Sequence, residues 1–344
     1  MLNRVTNRLG RAWRVLVTGQ AETRARREIP AITDEEVAEV RQVFGMPKFF
    51  MFGHARSGTT LLARLVRVHP EVHCNWQAHF FSRPPMLSGL ADAPEVGDWL
   101  ARRSNRWNRG RDLTPVALRA MADYILERDA RSAGKRVVGD KSPNVLTNGR
   151  AIHEMQRLYP DGKVIYIVRD GRDTLISHRF QNFIDAAHTL LPVDLQIRDD
   201  FATDPRPYFA GKKSIFTETA IRRMAEGWVT NVVETDAAGR ELYGANYYVL
   251  KYEALIDQPY ETMAGVWRFL GVSPNGLEAA VRAEMEENPD ADWQQQKASD
   301  LVSALEKGKR GSWRELFTAR DKAVFKEVAG ETLKTWGYED GNDW

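Results

Sequence analysis

The residues Gly53-His54-Ala55-Arg56-Ser57-Gly58-Thr59-Thr60 have the types and spacing of an anion cradle. They follow the apolar run Lys48-Phe49-Phe50-Met51-Phe52, which reads as a buried strand, and lead into a helical pattern from Thr59 to Val68. At such a junction backbone N–H groups and a helix N-terminus converge on a phosphate. In the G-x-x-x-x-G-K-[ST] loop the lysine that reaches the terminal phosphates would stand at residue 59, which is threonine here. The cation lies earlier in the loop, at Arg56, so the pattern fits a nucleotide whose 5′ end is not a triphosphate.

Two further segments carry the same chemistry. Ile165-Tyr166-Ile167-Val168-Arg169-Asp170-Gly171-Arg172-Asp173 reads as a strand entering a charged turn, with Ser177 one helical turn further on. A strand-end arginine and a hydroxyl in the following helix can hold one phosphate by charge-assisted hydrogen bonds. Lys307-Gly308-Lys309-Arg310-Gly311-Ser312-Trp313-Arg314 combines cations with glycines that let the backbone approach an anion.

Taken together, these segments resemble the PAPS-dependent sulfotransferases, whose donor is 3′-phosphoadenosine 5′-phosphosulfate. The resemblance rests on Arg56-Ser57-Gly58-Thr59-Thr60-Leu61-Leu62, on Arg169 with Ser177, and on the Lys307 to Trp313 loop, in the family's order. His69-Pro70-Glu71-Val72 is similar to the tyrosylprotein branch. The resemblance implies that Arg56 meets the sulfate and 5′-phosphate while Ser57, Gly58, Thr59 and Thr60 cradle the phosphate. It implies that Arg169 and Ser177 hold the 3′-phosphate and that Lys307, Gly308, Lys309 and Arg310 close over it. Relatives often have arginine before the Lys-Gly pair, where this chain has Glu306, so Lys309 or Arg310 would take over that contact.

Val138-Gly139-Asp140-Lys141-Ser142-Pro143 is similar to the family's acid-Lys-Ser/Thr-Pro motif, which implies that Lys141 stabilises charge on the bridging oxygen. The general base departs from the pattern. The tyrosylprotein glutamate falls on Gln77 and the cytosolic histidine on Pro143, neither of which can accept a proton at neutral pH. His79 and Asp140 remain as candidates, and histidine has the better unperturbed pKa. His54 is read as a packed loop residue. His73, His153, His178 and His188 lack metal-ligand spacing, so no metal is expected. Trp228 is a candidate adenine platform, with core packing the favoured reading, and Lys251-Tyr252-Glu253 is read as mainly structural.

These segments need a scaffold that brings strand ends together. Strands at Lys48–Phe52, Lys163–Val168 and Tyr247–Lys251 alternate with helical stretches at Asp34–Val43, Thr59–Val68, Val145–Leu158 and Tyr260–Leu270. This spacing predicts an α/β fold, a central parallel sheet flanked by helices as a three-layer sandwich with ligand at the strands' C-terminal ends. Asp194–Lys213 and Asn288–Leu305 read as long irregular segments. Residues 1–44 read as a basic arm and short helix, and 45–344 as one domain.

Composition narrows the partners. Lys and Arg number 49 against 47 Asp and Glu, a net charge of +2, which gives no case for nucleic-acid binding. The one cysteine, Cys74, excludes an intrachain disulfide and fits a reducing compartment, and it reads as a buried thiol. No apolar run reaches the roughly 18 residues a membrane span needs. A cytoplasmic, bacterial enzyme is expected, with a peripheral membrane contact through the arginine-rich arm left open. Aromatics in Asn75–Phe81, with Trp99 and Trp107, leave a lipid, a glycan or a small alcohol as acceptor. Two other functions also stay open, a P-loop kinase or NTPase and a nucleotide-binding relative without catalysis; oligomeric state is not legible.

Overall fold

A strand apolar on both faces must be covered on both, and β1 (Lys48–Gly53) is buried along its whole length. The computed structural model describes residues 28–82, 86–144, 146, 149–287, 301, 310–341 and 344. In it β1 lies at the centre of a five-stranded parallel sheet with β2 (Val72–Trp76), β3 (Val137–Lys141), β4 (Lys163–Val168) and β5 (Tyr247–Lys251). The order is β2-β3-β1-β4-β5.

Side chains alternate across this sheet and so build two cores. Phe49 and Met51 pack with Ile165 and Ile167 against the helices Thr59–Arg67 and Pro259–Leu270. Phe50 and Phe52 pack with Tyr166 and Val168 on the opposite side. There the helices Thr114–Ser132, Arg150–Leu158, Gly171–Asp185 and Glu218–Tyr243 cover them. The result is the three-layer α/β architecture the sequence predicts.

The chain moves outward from β1 to β2 through the helix on the first face, then returns through β3, past β1 to β4 and β5, through helices on the second. Reversing direction while changing face keeps one hand of crossover throughout. The strand order therefore switches at β1, and the segments that follow Gly53, Trp76, Lys141, Val168 and Lys251 meet at one edge of the sheet.

Several expectations need correction. Two strands, β2 and β3, join the three expected from sequence. The helix expected from Val145 begins at Arg150, after Gly149 in the left-handed region at φ 55°. Asp194–Lys213 is largely helical, with helices Pro192–Thr203 and Arg206–Phe209 anchored by buried Phe201 and Tyr208. The prolines there open helices, where a missing N–H costs nothing. Of the arm, residues 1–27 lie outside the described residues, and of Asn288–Leu305 only Leu301 lies within them. Among the described residues no helix is long and apolar enough to cross a membrane.

Candidate active site

The loop after β1 is built around two left-handed residues, Arg56 at φ 74° and Gly58 at φ 89°. Gly58 is required twice over, by its φ and by space, since a Cβ there would lie 2.2 Å from Cδ2 of Tyr252. Gly58 is also the N-cap of the helix Thr59–Arg67, which has no side-chain cap and no acidic residue in its first turn. The helix therefore presents its first amides and the positive end of its dipole uncompensated, the arrangement that receives an anion.

Cationic side chains from three strand ends gather around this loop. Arg56 Nε donates to Ser177 Oγ at 3.0 Å, joining the first loop to the helix after β4. Arg169 Nη1 donates to the Arg56 carbonyl at 3.3 Å, and its guanidinium stacks 4.6 Å from the Tyr252 ring centroid. Lys141, at the end of β3, is wholly buried and its Nζ donates to Thr60 Oγ1 at 3.3 Å, under the face of Trp76 at 4.8 Å. Two buried polar atoms of the cluster, Arg169 Nε and Ser57 Oγ, have no hydrogen-bond partner. A bound oxyanion would satisfy both, and the cluster thus brings together Arg56, Ser57, Gly58, Thr60, Lys141, Arg169 and Ser177.

A family model described as the Sulfotransferase family matches residues 47–275, the stretch that holds all of these residues. The chain belongs to the sulfotransferase family. Among curated relatives, protein-tyrosine sulfotransferase 2 of Gallus gallus is 25% identical over 243 residues, 70% of this chain and 56% of that protein. The protein-tyrosine sulfotransferase of Drosophila melanogaster is 25% identical over 233 residues, 67% of this chain and 39% of that protein. The chain thus spans about half, or less, of the length of these relatives. A solved sulfotransferase domain from a Synechococcus olefin synthase aligns over 90% of this chain and 98% of its own, at 14% identity and a TM-score of 0.47.

In this sulfotransferase-family chain the two candidate bases are placed very differently. Strand alternation sends Asp140 to the opposite face of the sheet from Lys141. There its carboxylate, 2% exposed as a residue, accepts from Ala78 N–H at 3.0 Å and from the Ser142 hydroxyl at 2.5 Å. Ser142 Oγ in turn accepts from the His79 N–H at 3.0 Å. Burial raises the Asp140 pKa to about 6, opposed by these hydrogen bonds and by the charge of Lys141. Asp140 therefore fixes the backbone of residues 77–79, which holds Gln77 and His79 in left-handed conformations at φ 52° and 50°. The His79 ring is half-buried, with Nδ1 3.0 Å from Ser82 Oγ, and Gln77 is exposed. Three of the four left-handed non-glycine residues among those described, Arg56, Gln77 and His79, thus sit in the two segments that carry the candidate chemistry.

Other expected residues are elsewhere. Lys307, Gly308 and Lys309 lie outside the described residues, while Arg310 pairs with Asp257 at 2.6 Å. That pair is exposed on both sides. Trp228 is wholly buried, its ring packed beneath Gly171, where an added Cβ would come within 2.7 Å, so it is a core residue. His54 is buried and its pKa falls to about 4, which keeps it neutral against the Ala55 carbonyl at 2.9 Å. Cys74 is buried, and burial raises its thiol pKa.

Sequence reasoning missed the frame around Arg169. Tyr252 roofs both Gly58 and Arg169, and Glu253 accepts from the Asp170 N–H at 3.0 Å. Asp173, buried, accepts from the amides of Gly311 at 2.8 Å and Trp313 at 3.3 Å, and so docks the C-terminal loop against the helix that carries Ser177. The turn Arg169-Asp170-Gly171-Arg172-Asp173 balances two acids with two cations, so the sequence carries no local signal that Asp173 reaches the C-terminal loop.

Proposed function

We propose that the chain transfers a sulfuryl group from PAPS to a hydroxyl or amine of an acceptor. The observation that carries this reading is the junction of the two anion loops. Arg56 is in hydrogen-bond contact with Ser177 and, through its carbonyl, with Arg169, and the same two segments hold the unpartnered Arg169 Nε and Ser57 Oγ. A donor with anionic groups at both the 5′ and 3′ positions of one ribose fits two cradles held this close. When bound, the donor supplies an activated sulfuryl group on a phosphate leaving group.

The chain's own residues supply the rest. Ser57, Gly58, Thr59 and Thr60 cradle the 5′-phosphate with Arg56, and Arg169 with Ser177 holds the 3′-phosphate. Lys141 places a desolvated ammonium beside Thr60, where it opposes the charge that grows on the departing oxygen. His79 takes the acceptor's proton, and Asp140 positions the turn that bears it. The acceptor oxygen or nitrogen bonds to sulfur, the sulfur–oxygen bond to the phosphate breaks, and adenosine 3′,5′-bisphosphate leaves.

Calorimetric titration of the protein with adenosine 3′,5′-bisphosphate, against ATP plus Mg²⁺, tests the donor. The bisphosphate is expected to bind and ATP not to compete, with binding lost in Arg169→Ala. A preference for ATP would overturn the reading in favour of a kinase or NTPase.

A further inference from the structure

The segment between β2 and the helix Thr114–Ser132 carries an exposed apolar surface that the site does not use. On the helix Pro94–Ala101, Gly97 and Leu100 face the body while Val96 and Trp99, three positions apart, face outward together. Trp107 returns to stack on Trp99, with ring centroids 4.8 Å apart and planes at 26°. Both rings stay open to solvent, at 59% and 50%.

The turn that brings Trp107 back is built for the purpose. Asn105 Nδ2 donates to the Trp99 carbonyl at 3.1 Å, and Asn108 Nδ2 to the carbonyls of Leu100 at 3.3 Å and Arg102 at 3.2 Å. Arg109 is held left-handed at φ 52°, and Gly110 N–H donates to Asn108 Oδ1 at 3.1 Å. Fixed backbone and buried amide groups are thus spent on holding two tryptophans in water.

The loop that carries Trp107 is strongly basic. From Trp99 to Arg111 there are five arginines and no carboxylate. Arg102, Arg103, Arg106, Arg109 and Arg111 are all exposed; Arg111 pairs with Glu36 at 3.1 Å and Arg102 lies 3.8 Å from Asp98, while Glu95 and Asp112 flank the stretch.

We propose that this surface docks on an anionic lipid bilayer, the tryptophans entering the interface and the arginines meeting lipid phosphates. Exposed aliphatic residues of the same segment, Val96 with Met86 and Leu90, favour lipid over sugar, since sugars stack on rings and gain nothing from aliphatic side chains. Met86 N–H donates to the His79 carbonyl at 3.4 Å, so the docked segment is directly continuous with the candidate catalytic turn. The docking stands independently of the proposed reaction.

Co-sedimentation of the full chain with phosphatidylglycerol–phosphatidylcholine vesicles, and with phosphatidylcholine vesicles alone, tests the proposal. Binding to the anionic vesicles is expected, with a blue shift of tryptophan fluorescence. Trp99→Ser with Trp107→Ser, and separately Arg103→Glu with Arg106→Glu, are each expected to weaken it about tenfold or more. Both pairs are exposed, so unchanged thermal melting shows that the fold is kept, and an Arg102→Glu, Arg109→Glu pair gives an independent check. No binding to anionic vesicles, or binding equal to the parent in all variants, which would assign it to the arginine-rich arm, overturns the proposal. Retention on heparin that anionic vesicles do not compete away would also overturn it, in favour of a polysaccharide.

Discussion

At the scale of single residues, the candidate site holds polar atoms in positions that cost stability without a ligand. Leaving Arg169 Nε and Ser57 Oγ buried and unpaired costs about 1–3 kcal/mol each, which an anion would recover on binding. Lys141 touches Thr60 of the 5′ cradle, and in the proposed reaction its charge opposes the charge that grows on the departing oxygen, so it bears on the step more than on affinity. Lys141→Met is therefore expected to lower kcat by about 100- to 1,000-fold while the calorimetric affinity for adenosine 3′,5′-bisphosphate changes little. Equal loss of both would make Lys141 a binding residue. Asp140 makes a separate prediction. Its folded pKa of about 6 stands above its ordinary 3.8, so the folded state holds the proton more tightly than the unfolded one. Stability then falls as pH rises through that window and levels off above it. Asp140→Asn removes this titration. Its urea midpoint, relative to the parent, is expected to rise between pH 4 and pH 7 by the equivalent of about 3 kcal/mol or less. A constant difference across that range would show that Asp140 does not titrate there.

At the scale of elements, the site is a set of strand ends, and their legibility follows from how unbroken the apolar run of each strand is. The strands β1 and β4 at the sheet's centre and β5 at its edge are all written in apolar and aromatic residues, and the sequence reveals them. The strands β2 and β3 do not, because polar residues or glycine interrupt the apolar run in Val72-His73-Cys74-Asn75-Trp76 and Val137-Val138-Gly139-Asp140-Lys141. Gly139 is chosen for space, since a Cβ would lie 2.3 Å from the Phe49 carbonyl, and it weakens the strand signal further. The same loss affects Tyr252, whose contact with Gly58 spans most of the chain and leaves no local pattern. That contact can be tested. Gly58→Ala must strain φ 89° and overlap the ring of Tyr252, so it is expected to weaken bisphosphate binding by about tenfold or more. Adding Tyr252→Leu relieves the overlap but not the strain, and should recover part of the loss. If Gly58→Ala bound normally, the loop would not need its left-handed turn.

At the scale of the whole molecule, the C-terminal segment closes onto the donor site through one buried arginine. The Arg172 guanidinium bonds Asp170, at 2.6 Å, and Glu339, and lies against the rings of Trp313 and Trp344, 4.0 and 4.5 Å from their centroids. Tyr338 OH donates to Glu253 at 3.1 Å, and Glu253 accepts from the backbone of Asp170. Asp170, next to Arg169, is thus tied to both the segment that follows β5 and the last residues of the chain. Truncating one member of a buried, paired set leaves the others charged and unpaired, which costs about 3–5 kcal/mol. Arg172→Ala is therefore expected to lower Tm by on the order of 10 °C. It should also weaken the bisphosphate, because Asp173, its neighbour, loses its hold on Gly311 and Trp313. Arg222→Ala is the matched control, since its pair with Glu327 at 2.9 Å is exposed and worth about 1 kcal/mol or less. Melting and calorimetry of the two variants distinguish an anchor from a surface pair. A similar small loss in both would mean that the C-terminal segment is held by its aromatic packing alone, and that the donor site does not depend on it.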